Sequence, residues 1–297
     1  LSFDIAVLEL LLPLSVGAEV ILAGKDAVID GVALAALLRD SGATAMQATP
    51  ASWRLLLEAG WTGRAGFKAM CGGEPLPTDL AQALLPLCGE LWNLYGPTET
   101  TVWSTAMRVA PAADGGVPDI HIGRPIANTQ VWILDEGGQP CPRGVPGEIC
   151  IGGDGVTLGY LARPELTADR FLPDAFADAV KGFGTGIERP LLYRTGDRGR
   201  WRADGNLEHL GRLDFQVKVR GFRIELGEIE SRLLAHPAVV RAVAMAREDR
   251  PGDVRLVAYL VLAPGLSLDD EALVAHLKQH LPDYMVPAAF VLLDRLP

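Results

Sequence analysis

The stretch GRLDFQVKVRGFRIELGEIE, residues 211–230, decides how the carboxyl-terminal part of this chain folds. Apolar and polar side chains alternate along its centre, in the order Phe215, Gln216, Val217, Lys218, Val219 and Arg220. This period of two predicts a half-buried strand with one apolar face and one cationic, hydrogen-bonding face. We expect Gly221 to end the strand.

The spacing of the apolar residues becomes helical after this glycine. The residues at helical spacing are Leu226, Ile229, Leu233 and Leu234. Three acidic residues, Glu225, Glu228 and Glu230, fall where the amino terminus of a helix stabilises negative charge. The segment is therefore predicted as strand, turn and helix.

The same segment resembles the hinge-and-loop signature of nonribosomal peptide synthetase adenylation domains. These domains are members of the adenylate-forming superfamily, which also holds acyl-CoA ligases and luciferases. Further stretches match the family in the same order: NLYGPTETT at 93–101, GEICIGG at 147–153, YRTGD at 193–197 and LPDYMVP at 281–287. Any one of these motifs is a weak signal, but their shared order identifies essentially the whole chain as a member of this family.

The composition fits a globular enzyme. The 297 residues suffice for a large core and two domains, and 49% of them are hydrophobic. A formal charge of −10, from 37 acidic and 27 basic residues, argues against a nucleic-acid or anionic-membrane partner. The four cysteines show no C-x-x-C pair, which argues against a zinc site or a disulfide scaffold and fits a reducing cytoplasm.

The first 118 residues predict an α/β subdomain. Strand-length apolar runs alternate with helical patterns at 18–22, 31–39, 43–48, 52–58, 67–71, 78–87 and 90–94. This alternation is typical of a parallel sheet wrapped by helices, in which sites form at the carboxyl ends of the strands. The turns at 72–74 and 95–99 both follow predicted strands.

Residues 119–211 predict a β-rich subdomain that completes this N-terminal core. Strands are expected at 129–134, 148–151 and 199–210, in a barrel-like arrangement, and a surface loop is expected at 174–190. A hinge at 212–214 then leads to a small α+β lid domain at 215–297. In the lid we expect strands near 239–246 and 254–262 and a helix near 269–280, opened by a capping box of Ser267 and Asp270.

The resemblance implies a site for ATP and Mg²⁺. An aromatic ring can stack on a purine, a hydroxyl can hydrogen-bond to phosphate, and a carboxylate is a hard oxygen ligand for Mg²⁺. The family assigns catalytic roles to Thr98 and Glu99, with Glu99 also as the metal ligand. It assigns nucleotide contacts to Gly73, Glu74, Asn93, Tyr95, Asp197 and Arg212, with Asn93 near the adenine amine and Asp197 on the ribose hydroxyls.

The hinge region also resembles the family. Arg212 and Asp214 match the hinge about which the small domain rotates between an adenylate-forming and a thioester-forming pose. Lys218 is implied as a catalytic residue, and Gly221 as part of the loop that approaches the pantetheine arm of a carrier domain. One departure is His209, at a position where relatives often carry an aromatic Tyr or Phe assigned to nucleotide stacking.

Two motifs of relatives are missing from the sequence. They are the Gly/Ser/Thr/Lys-rich phosphate-binding loop upstream of residue 1 and the Asn-Gly-Lys motif beyond Pro297, whose lysine holds the substrate carboxylate and the α-phosphate. We therefore expect the chain to be a fragment of a larger synthetase that adenylates poorly by itself.

The resemblance also implies a substrate pocket. The matched positions are Asp4, Ile5, Leu8, Gln47, Met70, Gly72, Leu94, Val102 and Trp103, a set similar to that of glycine-activating domains. Asp4 corresponds to the carboxylate that pairs with the α-ammonium group of an amino acid. Leu8, Met70, Leu94 and Trp103 are bulky enough to fill the space of a substrate side chain, so glycine is the expected substrate. A pocket with room for a larger side chain would disfavour a substrate that lacks one methyl group by only about 1–3 kcal/mol.

The expected function is ATP-dependent activation of an amino acid, most simply glycine, followed by transfer to the phosphopantetheine thiol of a peptidyl carrier domain. The resemblance admits a condensation domain and a small MbtH-like helper protein as further partners. Two alternatives stay open: a CoA ligase for a small carboxylic acid, and a non-catalytic module that acts as a docking scaffold. Asp4 and the LPDYMVP motif count against the CoA ligase.

Overall fold

The computed structural model describes residues 4–112, 115–177, 190–249 and 254–296. The chain divides into two compact units, Leu1–Leu213 and Asp214–Pro297. This division falls inside the range 212–214 that the sequence predicts as a hinge; the hinge motion stays a prediction. Most of the predicted surface loop at 174–190 lies outside the described residues.

The regular elements are as follows. The helices are α1 (Ala6–Ser15), α2 (Lys25–Ile29), α3 (Gly31–Ser41), α4 (Pro50–Glu58), α5 (Thr78–Leu84), α6 (Pro164–Arg170), α7 (Leu226–Leu234) and α8 (Asp270–Lys278). The strands of the first unit are β1 (Ala45–Ala48), β2 (Lys68–Gly72), β3 (Glu90–Tyr95), β4 (Thr105–Val109), β5 (Arg124–Pro125), β6 (Thr129–Leu134), β7 (Gly147–Gly153), β8 (Phe171–Pro173), β9 (Leu191–Trp201) and β10 (Leu207–Arg212). Those of the second unit are β11 (Gln216–Val219), β12 (Phe222–Glu225), β13 (Val239–Glu248), β14 (Val254–Leu262) and β15 (Ala289–Leu292).

The first sheet of the first unit has the order β1-β2-β3-β4-β5. Strands β1, β2 and β3 are parallel, whereas β4 and β5 each pair antiparallel with the preceding strand. Their core includes Trp53 and Leu56 of α4, Leu80 of α5, and Phe67 before β2. The mixed α/β architecture is therefore confirmed, and the parallel strands bring the loops after β2 and β3 to one edge of the sheet.

The second sheet of the first unit is antiparallel, with the order β10-β9-β7-β6 and with β8 paired to β9. The expected strand at 199–210 is wrong as a single element. The backbone leaves β9 at Trp201 and re-enters the sheet at Leu207, and the Arg202 amide donates to the Asn206 carbonyl oxygen at 2.8 Å across the turn.

The expected strand at 18–22 is also wrong. These residues form neither helix nor strand. Ile21 and Leu22 are exposed, and no strand of the described residues pairs with this segment. Without a neighbouring strand, the backbone amide and carbonyl groups of this run form no β-sheet hydrogen bonds, so the extended conformation is not stabilised.

The decisive stretch of the sequence folds into strand, turn, strand and helix, so the predicted order lacked one strand. Arg220 and Gly221 have φ values of 54° and 82°, which reverse the chain in a two-residue turn. Strand β12 then pairs antiparallel with β11, and Ile224 is buried. Phe215, expected on the apolar face, lies before the strand and is exposed; Leu234, expected on the helix's apolar face, is also exposed.

The second unit also contains a three-stranded sheet of order β13-β14-β15. Its core contains Ile229 and Leu233 of α7 and Leu273 and Leu277 of α8. The predicted capping box of Ser267 and Asp270 is wrong: Asp269 caps α8, and its carboxylate accepts the Glu271 amide hydrogen. Asp269 directly precedes the first turn of α8, so its carboxylate reaches the free backbone amides of that turn, whereas Ser267 lies two residues further away.

No helix of the described residues is long and apolar enough to cross a membrane.

Candidate active site

The candidate site begins where β2 and β3 end side by side. Gly72 of β2 pairs in register with Leu94 of β3. Gly73, with φ at 84°, and the half-buried Glu74 follow β2, and the 3₁₀ turn Thr98–Thr100 follows β3. The two loops that the sequence singled out therefore start at the same edge of the sheet.

A buried cluster joins three distant side chains of the first unit. Tyr95 donates its hydroxyl hydrogen to Oδ2 of Asp197 at 2.6 Å. Arg212 donates from Nη1 to Oδ1 of Asp197 at 2.8 Å. Nε2 of His209 lies 3.4 Å from the same Oδ1. The structure thus brings together three of the six residues that the sequence predicts as nucleotide ligands, and it places His209 beside them.

The electrostatics of this cluster follow from its burial and its donors. Burial alone would raise the pKa of the Asp197 carboxyl, but the hydrogen bond and charge of His209, then the charge of Arg212 and the Tyr95 hydroxyl, lower it to about 2. Burial and the neighbouring Asp197 charge raise the pKa of Tyr95 well above its ordinary value. Asp197 is therefore an ionised acceptor at neutral pH, and Tyr95 remains a donor.

The backbone beneath Asp197 is held by strand β7. The Asp197 amide donates to Oγ1 of Thr195 at 2.9 Å, and Thr195 donates to the Ile149 carbonyl oxygen at 2.7 Å. Glu148 accepts the Gly196 amide hydrogen at 3.0 Å and two hydrogen bonds from Arg194. The GEICIGG and YRTGD motifs are therefore hydrogen-bonded partners on paired strands, which fixes the Asp197 carboxylate in place.

Asn93, expected near adenine, is buried on β3. Its amide nitrogen donates to the carbonyl oxygen of His121 at 2.8 Å. The ring of His121 in turn accepts the Gly123 amide hydrogen at 2.9 Å, and burial lowers the pKa of this histidine. Asn93 therefore braces the 121–123 segment against the sheet.

Glu99 lies in a buried position after β3, whereas its neighbour Thr98 is exposed. Oε1 of Glu99 accepts a hydrogen bond from the Tyr160 hydroxyl at 2.6 Å. The Thr157 amide donates to the Glu99 carbonyl oxygen at 2.9 Å. Sequence reasoning missed Tyr160, because no local spacing shows that a residue 61 positions away reaches Glu99.

Among the described residues, no group of three or more His, Cys, Asp and Glu side chains is arranged to hold a metal ion. Mg²⁺ often binds through one or two carboxylates together with substrate phosphates and water. Glu99 fits a contribution of that kind.

The loop after Glu99 has an unusual backbone. Thr101 and Val102 have φ values of 62° and 67°, and such angles are strained for β-branched residues. The Thr101 hydroxyl donates to the Gly155 carbonyl oxygen at 2.7 Å, and the Trp103 amide donates to the Thr101 carbonyl oxygen at 2.9 Å. This bend directs the chain towards the predicted substrate pocket.

Trp103 is buried against Gly72 in that pocket. A Cβ added to Gly72 would lie 2.3 Å from Cη2 of Trp103 and 2.9 Å from the Leu94 carbonyl oxygen. The indole nitrogen of Trp103 donates to Oε1 of Gln47 at 2.7 Å. The indole therefore occupies the space that Gly72 leaves open on β2, and it donates a hydrogen bond to Gln47 on β1.

Gln47 also ties the pocket to α1. Its amide nitrogen Nε2 donates to the Ile5 carbonyl oxygen at 3.2 Å, and its backbone amide donates to Oε1 of Glu9 at 2.9 Å. Burial raises the pKa of Glu9. Sequence reasoning did not single out Glu9, because its helical position gives no sign that the carboxylate reaches β1.

The other pocket residues lie on the same elements. Asp4 and Ile5 precede α1 and Leu8 lies on it; all three are half-buried. Met70 pairs in register with Gln47, and its carbonyl oxygen accepts a hydrogen bond from Trp53 at 3.2 Å. Hydrogen bonds and close approaches thus connect Trp103 to four other pocket residues, which are Ile5, Gln47, Gly72 and Leu94. Among the hydrogen bonds and close approaches described here, none connects Trp103 to Asp4, Leu8 or Met70.

Asp214, Lys218 and Gly221 belong to the second unit. Oδ1 of Asp214 accepts the Gln216 amide hydrogen at 3.2 Å. Lys218 is half-buried on β11 opposite Arg223 of β12, and Gly221 is the second residue of the hairpin turn. Their roles stay predictions.

The sequence profiles of known families match both units. The AMP-binding enzyme profile matches residues 1–161, and the profile of the AMP-binding enzyme C-terminal domain matches residues 228–297. The chain is 46% identical over 296 residues to the dimodular nonribosomal peptide synthase of Bacillus subtilis (strain 168), covering 100% of this chain but 12% of that protein. The chain thus spans only 12% of the length of this relative.

Two solved structures extend this likeness. One is holo-AB3403, a four-domain nonribosomal peptide synthetase bound to AMP and glycine, with 47% identity, a TM-score of 0.63 and coverage of 99% of this chain and 21% of that one. The other is the Vibrio cholerae adenylation domain AlmE in complex with glycyl-adenosine-5'-phosphate, with 26% identity, a TM-score of 0.84 and coverage of 100% of this chain and 55% of that one.

Proposed function

The chain belongs to the AMP-binding enzyme family, and we propose that it is the adenylation domain of a nonribosomal peptide synthetase. In this proposal an amino acid carboxylate attacks the α-phosphorus of ATP, pyrophosphate leaves, and aminoacyl-AMP forms. The phosphopantetheine thiol of a peptidyl carrier domain then attacks the acyl carbon and AMP leaves. The observation that carries the proposal is the buried Asp197 carboxylate, which accepts hydrogen bonds from Tyr95 and Arg212 near the carboxyl ends of the strands.

The nucleotide roles follow from this cluster. Asp197 is the proposed acceptor for the ribose hydroxyls. Tyr95, Arg212 and His209 already occupy three of its about four acceptor positions, so two ribose hydroxyls would bind by displacing one of these donors. Tyr95 and Arg212 orient that carboxylate. The Tyr95 ring belongs to a buried apolar cluster with Ile122 and Val131, and its purine contact is proposed from the family resemblance. Asn93, Gly73 and Glu74 complete the nucleotide side of the proposed site.

The phosphate side uses the loop after β3. The exposed Thr98 hydroxyl hydrogen-bonds to phosphate, and Glu99 contributes an oxygen ligand to Mg²⁺. When bound, the cation neutralises charge on the phosphates and on the leaving pyrophosphate. Tyr160 donates a hydrogen bond to one Glu99 carboxylate oxygen and so restrains the orientation of that carboxylate.

The second unit supplies the acceptor step in this proposal. Lys218 acts on the adenylate, Asp214 serves as the hinge, and the turn at Gly221 approaches the pantetheine arm. A condensation domain and an MbtH-like helper protein are further partners admitted by the family resemblance.

Glycine is the proposed amino acid. Trp103 lies directly over Gly72, and the hydrogen bond to Gln47 keeps the indole there. A side chain on the substrate would have to displace that indole, whereas the α-ammonium group needs only a carboxylate such as Asp4. The glycine and glycyl-adenylate in the two similar structures support the same choice.

Product analysis tests the proposal against its alternatives. The protein as its gene encodes it is incubated with Mg·ATP, with either an amino acid or acetate or propionate, and with or without CoA. Amino-acid-dependent release of AMP and pyrophosphate, unaffected by CoA, supports the proposal. Acetate- or propionate-dependent AMP release with CoA would establish the small-acid ligase, and no pyrophosphate release with any acid would favour the docking scaffold.

A further inference from the structure

Two aromatic rings of the second unit stack face to face on its surface. The rings of Phe222 and Tyr284 have centroids 4.1 Å apart and planes inclined by 6°. Phe222 is 44% exposed and Tyr284 is 43% exposed. The two residues come from different motifs, the hinge-and-loop stretch and LPDYMVP, so the stack joins two segments that are distant in sequence.

Tyr284 stands on a rigid base. It is the middle residue of the 3₁₀ turn Asp283–Met285. Leu281 before the turn and Met285 at its end are buried in the core of the second unit. The Met285 amide donates to the Pro282 carbonyl oxygen at 2.9 Å, which closes the turn. The buried side chains of Leu281 and Met285 thus fix the backbone on either side of Tyr284.

Phe222 lies in a segment with less structural support than Tyr284. It is the first residue after the Arg220–Gly221 turn and pairs with Val219 in a hairpin of four residue pairs. A short two-stranded hairpin is marginally stable without further packing. Val219 and Ile224 anchor its inner face in the core. Phe222 shares that face, because it pairs with Val219 and lies two residues before Ile224, but its ring extends beyond the core onto Tyr284. The stack therefore secures the end of the hairpin next to the turn.

We propose that Tyr284 is a positioning residue that holds the Arg220–Gly221 turn in one orientation through its stack on Phe222. The consequence for catalysis depends on the proposed function, in which this turn approaches the pantetheine arm. Tyr284 then acts on the transfer of the aminoacyl group to the thiol. It has no part in the formation of the adenylate.

Trypsin provides a test that does not depend on activity. Arg220 is exposed at the tip of the hairpin, so the Arg220–Gly221 bond is a cleavage site whose rate reports local opening. Removing an aromatic stack with Tyr284→Ala should raise the cleavage rate at this bond by about two- to tenfold. Tyr284→Phe should restore the wild-type rate, because it keeps the ring.

The control is Tyr259→Ala in the same unit. The Tyr259 hydroxyl accepts a hydrogen bond from Arg247 on the neighbouring strand, and its ring is not part of the stack. This variant should leave cleavage at Arg220 unchanged. If Tyr284→Ala unfolds the protein, Phe222→Ala removes the same stack from the other side. An unchanged cleavage rate in a folded Tyr284→Ala or Phe222→Ala protein would overturn the proposal.

A second experiment separates the two half-reactions. Glycine-dependent exchange of pyrophosphate into ATP should change less than about twofold in Tyr284→Ala, while single-turnover loading of a holo carrier protein supplied in trans should slow by more than about twofold. Equal loss in both assays would contradict a role confined to transfer. If the wild-type protein shows no exchange, the proposed function fails, and the trypsin result still decides whether Tyr284 holds the turn.

Discussion

Tyr95 and Asp197 are 102 residues apart in sequence, yet the phenol hydroxyl of one donates to the buried carboxylate of the other at 2.6 Å. The Tyr95→Phe variant should therefore lose a hydrogen bond to a charged group. We expect the free energy of unfolding to fall by about 1.5–3 kcal/mol and the affinity for ATP to fall with it. Urea unfolding and a calorimetric ATP titration measure both effects.

The matched control is Tyr259→Phe, because the Tyr259 hydroxyl also meets a charged group but lies in the second unit. It should leave ATP affinity unchanged. A Tyr95→Phe protein with wild-type stability would show that this hydrogen bond contributes little to the first unit.

The pKa of Asp197 predicts a dependence of stability on acidity. The carboxyl has its pKa lowered from 3.8 to about 2 in the folded protein. A carboxyl whose pKa is lower in the folded than in the unfolded protein stabilises the fold at pH values above the unfolded-state pKa. This stabilisation is lost as the pH falls towards the folded-state pKa. The contribution, about 2 kcal/mol, should disappear between about pH 4 and pH 2.

Urea unfolding of wild type and Asp197→Asn at pH 5, 4 and 3 isolates this contribution. The stability difference between the two proteins should narrow as the pH falls, because the wild-type carboxylate loses its advantage. A difference that is constant over this range would mean that Asp197 has the same pKa in the folded and the unfolded protein, which would contradict the lowered folded-state pKa.

Trp103 should control which amino acid is accepted. Trp103→Ala removes the indole that lies over Gly72, so the ratio of kcat/KM for alanine to that for glycine should rise at least about tenfold. Steady-state exchange kinetics with glycine, alanine and serine measure this ratio. Trp201→Ala, in the antiparallel sheet, controls for the loss of a tryptophan and should leave the ratio unchanged.

Gly72→Ala tests the same contact from the other side. Its Cβ would lie 2.3 Å from the Trp103 ring and should destabilise the fold by about 1–3 kcal/mol. In the double variant with Trp103→Ala the clash with the indole is absent and only the 2.9 Å approach to the Leu94 carbonyl oxygen remains, so the two effects should not add. Additive free energies of unfolding would show that the two residues do not interact.

Tyr160 should affect the response to Mg²⁺. Tyr160→Phe removes the hydroxyl that donates a hydrogen bond to Glu99 and orients its carboxylate. Losing this hydrogen bond should weaken Mg²⁺ binding by about 1 kcal/mol, which raises the Mg²⁺ concentration for half-maximal exchange by about fivefold. Glu99→Gln should raise it further. An unchanged Mg²⁺ dependence in Tyr160→Phe, alongside a changed one in Glu99→Gln, would remove Tyr160 from the metal side of the site.

The sequence predicts the elements with strong periodicity and misses those that depend on long-range partners. Helix α7 and strands β2 and β3 follow directly from their apolar patterns. Strand β12 was missed because its four residues run straight into α7, and only the reversal at Arg220–Gly221 reveals it. The segment 18–22 has the composition of a strand but no partner to pair with.

The candidate site divides in the same way. The motifs name Tyr95, Asp197 and Arg212, but the distances between them exist only in the fold. Tyr160, Glu9 and the stack of Phe222 on Tyr284 carry no local signal, since each depends on a partner far along the chain. The strained Thr101–Val102 bend is equally invisible, because β-branched residues rarely adopt positive φ.

The central claim is that this chain activates glycine as an adenylate. The most direct test is glycine-dependent exchange of labelled pyrophosphate into ATP, by the protein as its gene encodes it, beside Asp197→Asn. We predict exchange with glycine well above that with alanine, serine or acetate, and a loss of at least about tenfold in Asp197→Asn. Exchange that is independent of any amino acid, or that Asp197→Asn leaves intact, would contradict the account.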